Sequence, residues 1–230
     1  MIDRTLVFVL GHENFKTLGS GRTDAMVSAN HAAFELFIDE PIDEKEFVNS
    51  FNENLPFDVR VTKIEQVDEH FNIIQTPKIK EYVYFFCFGE KPHPFTAPLL
   101  AWYPQELDLA LMQQGARLFE GEHDFVNYCK RPNENTKTLR NVHKSEIKKN
   151  ELITANFFPQ KSYAYHVHGA GFMRNQIRIM MGELIRLGRH QTTLNEIKTS
   201  LKQLIEGRNI DVAPATGLHL HRIDFNKDIK

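Results

Sequence analysis

Apolar residues recur along this chain at two spacings, and the switches between them map its elements. Ile2, Leu6, Val9 and Leu10 share one helical face and read as the end of an amphipathic helix. Between Ala25 and Ile38, helix caps are few and Phe34, Leu36 and Ile38 alternate against Glu35 and Asp39, which predicts a strand. From Asp43 to Leu55, Phe47, Val48, Phe51 and Leu55 fall on one helical face behind an acidic first turn, and Pro56 closes the helix. Val59, Val61, Ile64 and Val67 predict a strand that changes face midway. In Lys78 to Phe88, Tyr82, Tyr84, Phe86 and Phe88 line one face and Val83, Phe85 and Cys87 the other, so both faces are expected to be covered.

Four prolines between Lys91 and Pro104 mark a loop and divide the chain into an N-terminal α/β subdomain, 1–100, and a C-terminal one, 101–230. Leu107, Ala110, Leu111 and Leu118 then repeat at helical spacing up to Gly121. Strands are expected near Thr138 to Ile147, Glu151 to Phe158 and Ser162 to His168, and Phe172 to Leu187 reads as a helix. Thr193 and Glu196 form a capping box ahead of Leu194, Ile197, Leu201, Leu204 and Ile205, and Gly217 to Phe225 alternates as a last strand. Strands and helices in this order, without strict βαβ alternation, predict an α+β fold with a largely antiparallel sheet.

Composition narrows the class without naming a function. With 230 residues, 41% hydrophobic and 25% charged, the chain can bury a sizeable core. Cys87 and Cys129 form no C-x-x-C and no disulfide framework and are expected to be reduced, and the apolar run Leu6 to Leu10 is too short for an export signal or a membrane span. The expected compartment is the cytoplasm. Net charge is −2, but residues 1–115 carry 9 Lys and Arg against 18 Asp and Glu, and residues 116–230 carry 19 against 12. Such a division suits either a basic face for a polyanion or two ordinary solvated faces.

The phosphate-loop, dinucleotide, zinc-protease and serine-hydrolase motifs are missing from the sequence. His166-x-His168 and His219-x-His221 each place two imidazoles on one strand face, but no carboxylate or Cys stands at ligand spacing, so no metal site is expected. Gly19-Ser-Gly-Arg-Thr-Asp-Ala25 is more informative: an Asp two residues after an Arg, on a glycine-rich loop, can stay ionised and still reach a substrate as base, ligand or nucleophile. Alone, the heptapeptide fits a β-turn with an Asx cap equally well.

That heptapeptide resembles the signature of the tRNA pseudouridine synthase A family, and four further stretches follow in the family's order. Lys80-Glu-Tyr-Val-Tyr84 resembles its K-x-Y-x-Y strand and Gly121-Glu-His-Asp-Phe125 its G-x-H-D-F turn. Gly171-Phe-Met-Arg-Asn-Gln-Ile-Arg-Ile-Met-Met-Gly182 resembles its F-L-x-x-M-V-R-N-x-V-G helix, and Ala213-Pro-Ala-Thr-Gly-Leu-His-Leu220 its A-P-A-x-G-L-x-L strand. The resemblance implies a pseudouridine synthase fold with helices packed on one face of the sheet, and isomerisation of uridines in the anticodon stem-loop of tRNA without a cofactor. It also implies a homodimer with tRNA as partner, and neither a membrane nor DNA.

Residue by residue, the resemblance makes Asp24 the catalytic aspartate and Arg178 the catalytic arginine that orients it. Tyr82 becomes the aromatic that stacks on the target base, Arg22 a residue that helps hold the nucleotide out of its stack, and Leu218 the apolar lid of the uracil pocket. Read without it, Tyr82 and Leu218 are ordinary sheet core and each Arg a solvated side chain. The departures are Met26-Val-Ser-Ala29 where the family has Gly-Val-His-Ala, Arg174-Asn175 where a His is usual, and Ile179 where an Asn is usual. The family's opening strand and helix also have no counterpart, and a longer chain upstream of Met1 is expected. Lys137, Arg140, Lys144, Lys148, Lys149, Arg174, Arg178, Arg186 and Arg189 are candidates for a phosphate-tracking cleft. The alternative is a non-catalytic tRNA-binding or RNA-chaperone relative. A metal hydrolase built on Asp24 would need a second carboxylate, and no Asp-x-Asp accompanies it.

Overall fold

The structure, a computed structural model, describes residues 1–225. Its elements in chain order are α1 (Ile2–Leu10), β1 (Lys16–Gly19), β2 (Ser28–Ala29), β3 (Phe34–Phe37), α2 (Glu44–Asn54), β4 (Lys78–Phe88) and β5 (Ala101–Tyr103). Then follow α3 (Leu109–Arg117), β6 (Gly121–Asp124), β7 (Leu139–Lys149), β8 (Tyr163–Gly169), α4 (Gln176–Gly188), α5 (Leu194–Ser200) and β9 (Leu218–Phe225). They fall into two units, Met1–Arg22 with Ala33–Thr76, and Thr23–Ala32 with Pro77–Lys230. The boundary expected near residue 100 falls inside the second unit, where β5 pairs in parallel with Phe86–Phe88 of β4 and ties the two sides of the proline loop together.

In the first unit β1 pairs antiparallel with β3, and α1 and α2 close over a core of Leu6, Phe47, Phe51 and Leu55. Asp43 caps α2 by accepting the Glu46 N–H. The strand expected over Val59 to Val67 does not form. Asn52 takes both backbone groups of Val61, donating to its carbonyl at 2.9 Å and accepting its N–H at 2.8 Å, so no ladder partner is needed there.

The second unit is a seven-stranded sheet in the order β2-β9-β4-β8-β7-β6, with β5 joining β4. All pairings are antiparallel except β2 with β9 and β4 with β5. Tyr82, Tyr84 and Phe86 pack with Tyr165, Val167, Val142 and Ile147 beneath α3 and α4, forming the main core. On the reverse face Val83, Phe85, Cys87 and Ala164 pack with Leu100, Trp102, Ile153 and Phe158. Both faces of β4 are therefore covered, which its unbroken apolar run required.

Three expectations are corrected here. The single strand over Ala25 to Ile38 is two, β2 and β3, which pair with different strands in different units. Glu151 to Phe158 is a loop, because the buried Asn150 side chain accepts the N–H groups of Leu152 and Ile153 and donates to the Ile153 carbonyl. The helix begun by the Thr193–Glu196 capping box stops at Ser200, where the Asn127 amide takes the carbonyls of Ser200 and Gln203. Among the described residues, no helix is long and apolar enough to cross a membrane.

Candidate active site

The site is assembled at the start of α4. Asn175 caps the helix in the left-handed region, φ 60°, which a short amide side chain tolerates better than most. One turn on, Arg178 is fastened to the segment before β9. Its Nε donates to the Ala213 carbonyl at 2.7 Å, while the Ala213 N–H returns to the Arg178 carbonyl at 3.0 Å. That segment comes so close only because two neighbours lack a side chain. A Cβ on Gly182 would stand 2.0 Å from the Asp211 carbonyl oxygen, and one on Gly217 2.6 Å from Cζ of Tyr84. Tyr84 completes the stitching by donating its hydroxyl to the Pro214 carbonyl at 2.9 Å.

Asp24 reaches this frame from a turn closed by the Val27 N–H on the Asp24 carbonyl, 3.1 Å, with Met26 at φ 68°. Its Oδ2 accepts Arg178 Nη1 at 2.9 Å and also the Asn175 side-chain amide. Oδ1 receives no hydrogen bond among the described residues. One charged donor, the Arg178 guanidinium, and one neutral donor, the Asn175 amide, thus fix one carboxylate oxygen and leave the other with its lone pairs unspent.

Tyr82 is 9% exposed, sits opposite Val167 and Leu220, and meets Phe172 edge-on with ring centroids 5.5 Å apart. Burial raises its phenol pKa, and the Asp24 charge raises it further, so the ring stays neutral near that carboxylate. Leu218, 7% exposed, opens β9 opposite Tyr84. Behind them the Tyr84 and Tyr103 hydroxyls lie 3.3 Å apart, and burial pushes Tyr103 up to about 12. The result is a dry aromatic floor beside a half-exposed carboxylate.

Of the residues singled out from sequence, Asp24 and Arg178 are joined directly, and Tyr82 and Leu218 line the sheet beside them. Arg22 is the last residue of the first unit's opening stretch, exposed, and makes no hydrogen bond or ion pair among the described residues. Several residues of the expected basic track are engaged by neighbouring side chains. Lys144 and Lys148 both pair with Glu146, at 2.6 and 2.7 Å, Arg186 pairs with Glu183, and Arg189 donates to Gln105. Sequence reasoning missed Asn175, noting it only as a departure and placing it inside a helix expected from Phe172; the helix begins at Gln176, which puts Asn175 at its N-cap position. It also passed over Lys80, two residues before Tyr82 in the same strand, whose ammonium pKa is lowered by burial and then by neighbouring Lys78.

A family model described as tRNA pseudouridine synthase matches residues 116–226, which include Asn175, Arg178 and Leu218. The tRNA pseudouridine synthase A of Fervidobacterium nodosum is 31% identical over 214 residues, covering 91% of this chain and 82% of its own. Its namesake in Pseudothermotoga lettingae is 30% identical with the same coverage, and that of Staphylococcus aureus 30% identical over 92% of this chain and 80% of its own. The chain belongs to the tRNA pseudouridine synthase A family. Its mixed fold, with a mostly antiparallel sheet, is the one that the resemblance to this family implied.

Proposed function

We propose that this chain isomerises uridine to pseudouridine in the anticodon stem-loop of tRNA, with Asp24 as the catalytic carboxylate. In that reaction the bond from ribose C1′ to uracil N1 breaks, the base turns, and C1′ bonds to C5. N1 gains a proton and C5 loses one, so electrons and atoms balance without a redox cofactor. The observation that carries this reading is the asymmetric grip on Asp24: Oδ2 is held by Arg178 and Asn175, while Oδ1 is left to act on the nucleotide. Arg178 orients the carboxylate, Tyr82 and Leu218 give the flipped base an apolar face, and Arg22 helps hold the nucleotide out of its stack. Cytoplasmic location, expected from the two reduced cysteines, and a homodimer, drawn from the family resemblance, belong to the same reading.

The test is tritium release from unmodified tRNA carrying 5-[³H]uridine, with the wild type and Asp24→Asn side by side. Release from the wild type that disappears in the variant, with tRNA affinity unchanged, is the expected result. Binding without release in both proteins overturns the enzyme reading and favours an RNA-binding relative. Substrates with single anticodon-stem uridines replaced by cytidine identify the target position.

A further inference from the structure

The face of the sheet turned away from Asp24 gathers the one cluster of three metal-ligating side chains among the described residues. His166 and His168 alternate on β8 so that both project from the side of Ala164, and the antiparallel register sets Glu81 of β4 directly opposite His168. The carboxylate that the sequence lacks at ligand spacing is thus supplied by the neighbouring strand. Glu81 Oε1 lies 3.1 Å from His168 Nε2 and 3.6 Å from His166 Nδ1. The three ligand atoms all fall within 4.8 Å of one another. Two ligands on a tetrahedral zinc-class ion stand about 3.3 Å apart, given bonds of about 2.0–2.2 Å, and both Glu81 separations lie within a few tenths of an ångström of that.

One carboxylate oxygen faces two imidazole nitrogens at once. His168 Nε2 is shut off from solvent and makes no well-aligned hydrogen bond, although a carboxylate oxygen is 3.1 Å away. Such a contact is filled either by a proton on Nε2 or by a shared cation. Burial lowers the proton affinity of both imidazoles, against the pull of Glu81, which keeps their lone pairs available. The other charges on this face are already engaged: Glu146, opposite His166, holds Lys144 and Lys148, and Arg222, opposite Glu81, pairs with Asp224 at 2.8 Å. His219, from the other imidazole pair, is turned instead to the Leu99 carbonyl and the Phe85 ring.

We propose that Glu81, His166 and His168 form a binding site for one divalent first-row transition ion of the zinc class. Two imidazoles and one carboxylate select such an ion over magnesium or calcium, which prefer all-oxygen shells. Side-chain exposures of 14% for His166, 24% for His168 and 22% for Glu81 leave the three side chains partly accessible, although His168 Nε2 itself is covered. A bound ion would clasp β4 to β8 and stabilise the folded chain by mass action. The proposal is independent of the pseudouridylation reading.

The full chain, freed of metal with EDTA and dialysed, is titrated with Co²⁺ and followed by visible absorption. The expected result is an intense tetrahedral band that saturates at one ion per chain and is bleached by Zn²⁺. Zn²⁺ should also raise the melting temperature by several degrees. His166→Ala and His168→Ala should each lose the band and the thermal shift, with the tritium-release activity of the metal-free chain retained. If either variant loses its far-UV circular dichroism, the near-isosteric Glu81→Gln carries the test, with at least tenfold weaker Co²⁺ binding expected. Absence of a saturable band in the wild type, or a band that survives Glu81→Gln and both histidine substitutions, overturns the site.

Discussion

Helix α4 contributes to two carboxylate–guanidinium pairs, and their surroundings differ in a way that separates stability from chemistry. Glu183 is 6% exposed and Arg208 10%, and both oxygens of the carboxylate are held: Oε2 by Arg208 Nη2 at 2.9 Å and Arg186 Nη1 at 3.2 Å, Oε1 by the Thr192 hydroxyl at 3.2 Å. Arg208 also lies over the Tyr128 ring, 4.7 Å from its centroid. Asp24, by contrast, is 34% exposed, and its two donors converge on a single oxygen. A buried carboxylate held at both oxygens is spent on the fold, whereas one anchored at a single oxygen keeps a reactive edge. The same arginine chemistry yields a clamp in one place and an aiming device in the other.

The comparison breaks most sharply if the two acids are changed in parallel. Asp24→Asn should lower the tritium-release rate by at least about 10⁴-fold, the scale seen when a reacting group is removed, while chemical denaturation shifts by less than about 1 kcal/mol. Glu183→Ala should do the reverse. It leaves Arg208 buried without its anion, so unfolding free energy should fall by about 3–5 kcal/mol, read from urea midpoints, with the kcat of the remaining folded enzyme nearly unchanged.

Smaller effects sharpen the account of how Asp24 is aimed. Arg178→Lys keeps the charge but cannot serve the Ala213 carbonyl and Asp24 Oδ2 from one planar group, so release should slow by about 10–100-fold. The stability cost should be near 1 kcal/mol, since one hydrogen bond to a carbonyl is lost. Asn175→Ala removes only the second donor, and release should slow by about tenfold with tRNA affinity unchanged. An equal loss of affinity would mean that Asn175 contacts RNA rather than the carboxylate.

Much of this was legible where one face decides the element. The alternation in β4, the apolar face of α2, the Thr193–Glu196 box and the body of α4 were all read from spacing, although α4 starts at Gln176 and not at Phe172, because apolar periodicity and caps are local signals. The failures share a cause. The segments at Val61 and Ile153 carry strand-like apolar residues, yet an Asn side chain, Asn52 or Asn150, satisfies their backbone groups. Short strands such as β2 and β5 exist only because β9 and β4 present a free edge to them, and no local pattern carries that fact. Asp24, Arg178, Tyr82 and Leu218 came from motif resemblance, not from periodicity. Asn175 and the Glu81 neighbour of His168 depend on tertiary register, which one strand's sequence does not contain.

The smallest effect concerns Met26, which stands where the family signature has Gly. Its φ of 68° is in the left-handed region, which costs an L-residue about 1–2 kcal/mol, and its side chain is 72% exposed, so little burial offsets the strain. Met26→Gly removes that strain but gives the unfolded chain more freedom, a penalty of about 0.5–1 kcal/mol. The net expectation is a gain of less than about 1 kcal/mol in denaturant unfolding, with release altered by less than about twofold. The turn itself should persist, because the Val27 N–H bond to the Asp24 carbonyl does not involve the Met26 side chain. A tenfold change in release without a change in stability would carry a different message. It would mean that the turn, and not the grip of Arg178 and Asn175 on Oδ2, sets the direction of Asp24, and the contrast with Glu183 would then rest on backbone geometry instead of on the number of donors each carboxylate receives.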